Sequence, residues 1–176
     1  MSTIAETLQA ARARLADSPS PLADSEILLA HVLGSNRTWL RTWPDAPVAP
    51  GRRVRFEELI ARRAAGEPVA YLIGHRGFHA IDVLVTPAVL IPRPETELLV
   101  DTAIAAVRAQ DADARVLDLG TGSGCVALAI AQACPDARVT GIERCQEALA
   151  VARTNAQRLG TRWFPAAPDY CIDLLK

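Results

Sequence analysis

The 176-residue sequence lacks a long hydrophobic run and lacks a dominant charge of either sign. Nineteen Lys and Arg against 20 Asp and Glu leave a formal net charge of −1, which gives no general case for nucleic acid or an anionic membrane as partner. No apolar stretch approaches the roughly 20 residues of a membrane-spanning helix, and the N-terminus has no apolar signal core. A cytoplasmic protein, monomeric and without membrane or direct nucleic-acid contact, is the expectation. The four cysteines, Cys125, Cys134, Cys145 and Cys171, form no C-x-x-C pair and no Cys/His cluster. Reduced thiols fit that compartment, and no metal site is expected. There is no internal repeat and no low-complexity tract. Half of the residues are hydrophobic, enough to bury a core and to argue against global disorder.

The chain divides near residue 73. Up to that point it reads as helices only. Thr3 is placed to cap a helix whose apolar positions Ile4, Leu8, Ala11 and Leu15 keep three- and four-residue steps. Ser18-Pro-Ser-Pro21 breaks it. Pro21 suits the first turn of a second helix through Leu33, and Gly34 stops that helix. A short segment at Thr38 to Trp43 and a loop from Pro44 to Pro50 lead to a helix from about Arg52 to Ala65. The sum is a small helical bundle. Arg52, Arg53, Arg55, Arg62 and Arg63 share that last helix, which reads as a solvated face interleaved with Glu57 and Glu58.

From Gly74 the period changes. Ile81, Val83 and Val85 alternate with Asp82 and Leu84, which predicts a strand, with Arg76 to His79 as its hairpin partner. Ile91-Pro-Arg-Pro94 is extended, because each residue before a proline is pushed out of the α region. Pro94 then fits the first turn of a helix through about Arg108. Strand 115–119, helix 125–133, strand 138–142 and helix 146–159 follow as a βαβα series, which implies parallel strands with right-handed crossovers.

Within that series the segment Arg115-Val-Leu-Asp-Leu-Gly-Thr-Gly-Ser-Gly124 carries the most chemistry. A buried strand ends in an acidic residue and runs into three alternating glycines at the head of a helix. Glycine, without a Cβ, permits a sharp turn and close approach to a ligand. A dinucleotide loop needs G-x-G-x-x-G, but Cys125 stands where its third glycine belongs, and no Gly-Lys-Ser/Thr ending marks a P-loop. The remaining pattern, D-x-G-x-G-x-G, is that of class I methyltransferases that bind S-adenosylmethionine. Glu143 ends the second strand about 20 residues past the loop, in register to accept hydrogen bonds from ribose hydroxyls. For Asp118, contact with the ligand's amino acid moiety and a purely structural role stand level.

Residues 1–160 resemble the PrmC/HemK family of release-factor glutamine methyltransferases. Three segments carry the likeness: Gly66-Glu-Pro-Val-Ala-Tyr-Leu-Ile-Gly74, Leu90-Ile-Pro-Arg-Pro-Glu-Thr-Glu97 and Val116-Leu-Asp-Leu-Gly-Thr-Gly-Ser-Gly124. The resemblance implies an α/β protein in which an N-terminal helical bundle precedes the first half of a Rossmann-like class I methyltransferase domain. Residues 1–73 would recognise substrate. Residues 74–176 would form a partial S-adenosylmethionine-dependent domain, with a hairpin at 76–85, the βαβα unit at 115–159 and a tail at 161–176. The implied reaction moves a methyl group from S-adenosylmethionine to the glutamine side-chain amide in the Gly-Gly-Gln motif of peptide chain release factors. Gly120, Thr121, Gly122, Ser123 and Gly124 would surround the methionine part of the cofactor, and Glu143 would hold its ribose. Arg93, Glu95 and Thr96 would border the site. Gly77 and His79 depart from the family, which has Glu and an aromatic residue there, and His79 reads as a surface histidine.

A larger departure concerns the acceptor. The family's Asn-Pro-Pro-Tyr motif is not found in these 176 residues. An amide nitrogen is a poor nucleophile because its lone pair is delocalised into the carbonyl, and in the family that motif orients it. No catalytic residue is therefore assigned, and the expectation is a C-terminally shortened chain with weak cofactor binding and no turnover. After Gly160 the residues Trp163-Phe164 read either as a remnant of an adenine-flanking turn whose strand is lost or, together with the tail, as unrelated sequence. A non-enzymatic module that docks on release factors and a nicotinamide-dependent oxidoreductase are the competing readings.

Overall fold

In the computed structural model, the structure describes residues 2–110, 114–161 and 164–165. Contacts divide the chain into two compact units, Met1–Ile73 and Gly74–Lys176.

The first unit is helical. Helix α1 (Ile4–Arg14) opens on a reciprocal cap: the Thr3 hydroxyl accepts the Glu6 N–H at 3.2 Å, and the Glu6 carboxylate accepts the Thr3 N–H at 2.9 Å. Helix α2 (Pro21–Leu33) starts with proline at its first position and ends on Gly34 at φ 66°, a left-handed turn that glycine adopts without strain. Helix α3 (Arg37–Thr42) is capped by the Asn36 side chain, which accepts the Trp39 N–H at 2.8 Å. Helix α4 (Pro50–Ala64) begins two residues before the expected start, since Pro50 serves as its first residue rather than as loop. A five-residue helix, α5 (Val69–Ile73), carries no sequence signal of its own. Ile4, Leu8, Leu15, Leu28, Leu29, Leu40, Phe56 and Ile60 form the buried core among these helices.

Two carboxylates from α2 are buried in this unit. Glu26 accepts from Arg37 at 2.7–2.8 Å and from Arg41 at 2.9 Å, with the Arg12 guanidinium 3.8 Å away. Asp24 accepts from Arg63 and from the Ser18 hydroxyl, both at 2.7 Å. The arginines of α4 are thus not simply a solvated face. Arg63 is pinned inside the bundle, Arg62 bonds Glu67 at 2.6 Å, and Arg52 donates to the Leu33 carbonyl.

The second unit opens with strand β1 (His75–Phe78) paired antiparallel to β2 (Ile81–Leu84). The pairing begins one residue earlier than the periodicity suggests, and His79 turns the corner at φ 50°. His79 is fastened there: its N–H donates to Glu97 at 3.1 Å and its Nε2 lies 3.0 Å from Asp101. Pro94–Thr96 is a 3-10 turn rather than the first turn of the helix. The Thr96 N–H closes on the Arg93 carbonyl, and α6 (Glu97–Arg108) starts only after it.

Strand β3 (Arg115–Leu119), helix α7 (Cys125–Ala133), strand β4 (Arg138–Ile142) and helix α8 (Gln146–Leu159) follow. Gly160, at φ 61°, ends α8 and sends the chain back toward the sheet. There Phe164–Pro165 forms a two-residue strand, β5, parallel to β4 with Thr140 opposite Phe164 and Gly141 opposite Pro165. The sheet order is β3-β4-β5. This corrects the expectation that the strand after Gly160 is lost. Extended backbone suffices for such a ladder, and Pro165, with no N–H, donates nothing to it. Trp163 and the residues after Pro165 lie outside the described residues.

Candidate functional site

Strand β3 carries the chain up to a loop that the two sheet strands hold shut. The N–H groups of Gly120 and Thr121 both donate to the Ile142 carbonyl at the end of β4, at 2.8 and 3.0 Å. Gly120, Gly122 and Gly124 sit at φ 74°, 56° and 82°. Each needs the left-handed region, which non-glycine residues enter only with strain. At Gly124 there is a second demand. A Cβ there would lie 2.9 Å from Leu128 Cδ1 and 3.4 Å from the Ala152 methyl, so the loop is also a close-packing point between α7 and α8.

Glycine at the head of α7 leaves that helix without a side-chain cap of its own. Asp118 lies close by, at the end of β3. Its carboxylate accepts the Thr121 hydroxyl at 2.7 Å, which ties the strand end to the loop and gives this residue a structural task. Burial pushes the Asp118 carboxyl above the ordinary carboxylate range; the Thr121 bond and the Ala127 N–H oppose that shift, and the Glu143 charge adds to it.

Glu143, one residue past β4, leans back over the same loop. One carboxylate oxygen accepts the Gly122 N–H at 3.0 Å and the other accepts the Cys145 N–H at 2.9 Å. Thr121 and Ser123 are 5% and 2% exposed, and the Ser123 hydroxyl has no hydrogen-bond partner. The Cys125 thiol is pushed up, first by burial and further by the Asp118 charge, with the neighbouring Ser123 hydroxyl acting against that shift, so it stays a neutral thiol rather than a nucleophile. The six residues singled out by sequence, Gly120 to Gly124 and Glu143, are therefore brought together. Arg93 and Glu95 are exposed on the Pro94 turn, Thr96 is partly buried there, and none has a side-chain bond to the loop among the described residues.

Two carboxylates at the head of one helix change what the loop favours. A helix N-terminus with free N–H groups attracts phosphate. Here the Gly122 N–H already donates to Glu143, and the Asp118 carboxylate stands at the same end of the helix, so a pyrophosphate would meet two acidic groups. A ligand with positive charge meets the opposite field. Among the described residues no cluster of His, Cys, Asp and Glu could hold a metal ion.

One further residue joins the site without any local sequence signal. Asn155, on α8 and 0% exposed, bonds the backbone of Leu84 and the carbonyl of Ser123.

Comparison with known proteins gives first the class. Residues 6–74 match the PrmC N-terminal domain and residues 110–164 match a methyltransferase domain. The relatives narrow that class. A release factor glutamine methyltransferase of Pseudomonas aeruginosa is 50% identical over 174 residues, covering 94% of this chain and 62% of that one. The release factor glutamine methyltransferase of Bordetella pertussis is 48% identical over 161 residues, covering 88% and 59%. The chain thus carries a PrmC N-terminal domain followed by methyltransferase-domain sequence, is similar to release factor glutamine methyltransferases, and spans about three fifths of the length of the curated relatives it matches. Among solved structures, a tRNA (uracil-54, C5)-methyltransferase of Pyrococcus abyssi in complex with S-adenosyl-L-homocysteine aligns at 18% identity with TM-score 0.41, covering 53% of this chain and 23% of that one, which is too slight a likeness to build on. No helix among the described residues is long and apolar enough to cross a membrane.

Proposed function

We propose that residues 114–161 form the methyl-donor site of a release factor glutamine methyltransferase and that the donor is S-adenosylmethionine. The observation that carries this reading is the pair of carboxylates, Asp118 and Glu143, set on a left-handed glycine loop at the head of α7. Cys125, which stands where a dinucleotide loop has its third glycine, disfavours a nicotinamide dinucleotide. The two carboxylates suit a donor that carries a sulfonium and an ammonium. When bound, that donor supplies an electrophilic methyl group. Gly120, Gly122 and Gly124 let the backbone lie against its methionine part, Thr121 and Ser123 line the loop, and the partnerless Ser123 hydroxyl is a polar group with capacity to spare. Glu143 holds the ribose diol with the lone pairs left after its bonds to Gly122 and Cys145.

The acceptor in this reading is the side-chain amide of the glutamine in the Gly-Gly-Gln motif of a peptide chain release factor, a cytoplasmic partner recognised through the helical unit at 2–73. These 176 residues contain no Asn-Pro-Pro-Tyr string, so they are assigned donor binding and no acceptor-orienting residue.

Calorimetric titration of the chain with S-adenosylmethionine, S-adenosylhomocysteine and NADH tests the donor assignment. The first two are expected to bind and NADH is not. Saturable NADH binding with no response to either S-adenosyl ligand would overturn it in favour of an oxidoreductase. A pull-down of a purified release factor by the chain tests the partner.

A further inference from the structure

We propose that Asn155 is a positioning residue that fixes the glycine loop and couples it to the β1–β2 hairpin, an inference that rests on the reading of this loop as the donor site. Asn155 lies on the third turn of α8 and is fully buried. A polar side chain is tolerated there only if its hydrogen-bonding groups are matched, and they are. Its Oδ1 accepts the Leu84 N–H at 2.7 Å, and its Nδ2 donates to the Leu84 carbonyl at 3.0 Å and to the Ser123 carbonyl at 2.9 Å. Both amide protons are used. The orientation is forced, since a flipped amide would set its NH2 against the Leu84 N–H and its oxygen against two carbonyls.

The pair of hydrogen bonds to Leu84 has the donor–acceptor pattern of a neighbouring strand residue. Leu84 pairs with His75 on one side, so Asn155 stands in for a strand on the other. The third bond seizes the carbonyl of the peptide that joins Ser123 to Gly124. That peptide sets the left-handed entry into α7, where the Gly124 N–H closes on the Thr121 carbonyl at 2.8 Å. Three segments far apart in sequence thus depend on one amide. Release of Asn155 would free the hairpin end and the loop together.

The test compares Asn155→Asp with Ile104→Ala, a buried aliphatic truncation on α6. Aspartate keeps the acceptor for Leu84 but replaces the NH2 with an oxygen facing two carbonyls. Amide exchange on the ligand-free chain reads the result. Asn155→Asp is expected to speed exchange at Leu84, Gly122 and Gly124 together by roughly tenfold, and to weaken S-adenosylhomocysteine by a similar factor. Ile104→Ala is expected to lower the melting temperature and leave both readouts alone at a temperature well below melting. If Asn155→Asp does not fold, the unaltered chain decides: Leu84 and Gly124 are then expected to exchange through one shared opening, with the same denaturant dependence. Faster exchange at Leu84 with the loop amides unmoved, or separate openings in the unaltered chain, would overturn the coupling. Absence of any S-adenosyl ligand binding by the unaltered chain is a failure of the donor-site reading, not of this one, which the exchange data judge alone.

Discussion

Glu143 accepts the Gly122 N–H at 3.0 Å. The contact spans 21 residues of sequence and joins the end of β4 to the middle glycine of the loop after β3. Its other oxygen, on the Cys145 N–H, fixes the plane of the carboxylate. A glutamate is long enough to reach back over the loop while its outward lone pairs stay free, so one side chain both braces the turn and offers an acceptor to a diol.

Substituting Glu143 separates these two tasks. Glu143→Gln keeps the size but places an NH2 against the N–H of either Gly122 or Cys145, a donor facing a donor. Loss of one charge-assisted bond is worth about 1.5–3 kcal/mol. Affinity for S-adenosylhomocysteine, measured by titration calorimetry, should fall roughly ten- to a hundredfold. Glu143→Asp is expected to lose the Gly122 bond and to retain more affinity than Glu143→Gln, because a carboxylate remains available to the ribose.

The glycines should not be equivalent. Gly120 and Gly124 share left-handed backbones, and alanine at either adds about 1–2 kcal/mol of backbone strain. Around Gly120 nothing lies within 4 Å of a built Cβ. At Gly124 the new methyl meets Leu128 Cδ1 at 2.9 Å and the Ala152 methyl at 3.4 Å, so the fully buried Leu128 side chain must shift within the core. Overpacking adds about 1–3 kcal/mol. Thermal melts of the two variants are expected to rank Gly124→Ala below Gly120→Ala by several degrees. Equal melting temperatures would refute the packing role of Gly124.

Most of the framework of this site was legible in local sequence. Three alternating glycines after an acidic strand end can do little except turn into a helix, and Pro21 and Gly34 punctuate α2 by dihedral preference alone. Residues whose meaning comes from distant partners were not legible. Asn155 sits in a helix among polar neighbours, and only the fold brings Leu84 and Ser123 to it, from 71 and 32 residues away. Nothing local marks Asp24 and Glu26 on α2 for burial, yet both are buried, because arginines from α3 and α4 arrive to neutralise them. Strand β5 escaped because two extended residues carry no periodicity.

Asp118 predicts a pH dependence. Burial holds its carboxyl above the ordinary range, so the folded chain keeps this proton after the unfolded chain has lost it. The contribution is fully present below the unfolded value and is lost as pH rises through the raised folded one. Denaturant titrations at successive pH values should show that slope in the unaltered chain and its removal in Asp118→Asn, which still accepts the Thr121 hydroxyl. A cationic ligand favours the ionised carboxylate. Binding of S-adenosylmethionine should therefore release a proton over the same window, detectable as a buffer-dependent heat, and Asp118→Asn should abolish it.

Glu26 predicts the opposite sign in the helical unit. Burial alone would raise its carboxyl, but the bonds from Arg41 and Arg37 outweigh that and hold it below the ordinary range. Stability from this group is thus present above the unfolded value and is lost as pH falls through the depressed folded one. The carboxylate is 4% exposed while its three arginines are 43–60% exposed, so the partners are unequal. Removing one arginine leaves the others in place, and Arg41→Ala should lower stability by no more than about 1 kcal/mol. Glu26→Gln removes the negative charge that all three face and sets an NH2 where a carboxylate oxygen accepted, which should cost about 2 kcal/mol. Because Arg37 and Arg41 both belong to α3, the first loss should be local, with the amides of α3 exchanging faster in Glu26→Gln before the rest of the bundle opens. Uniform acceleration across α1, α2 and α4 would show instead that the cluster supports the whole unit and not the attachment of α3.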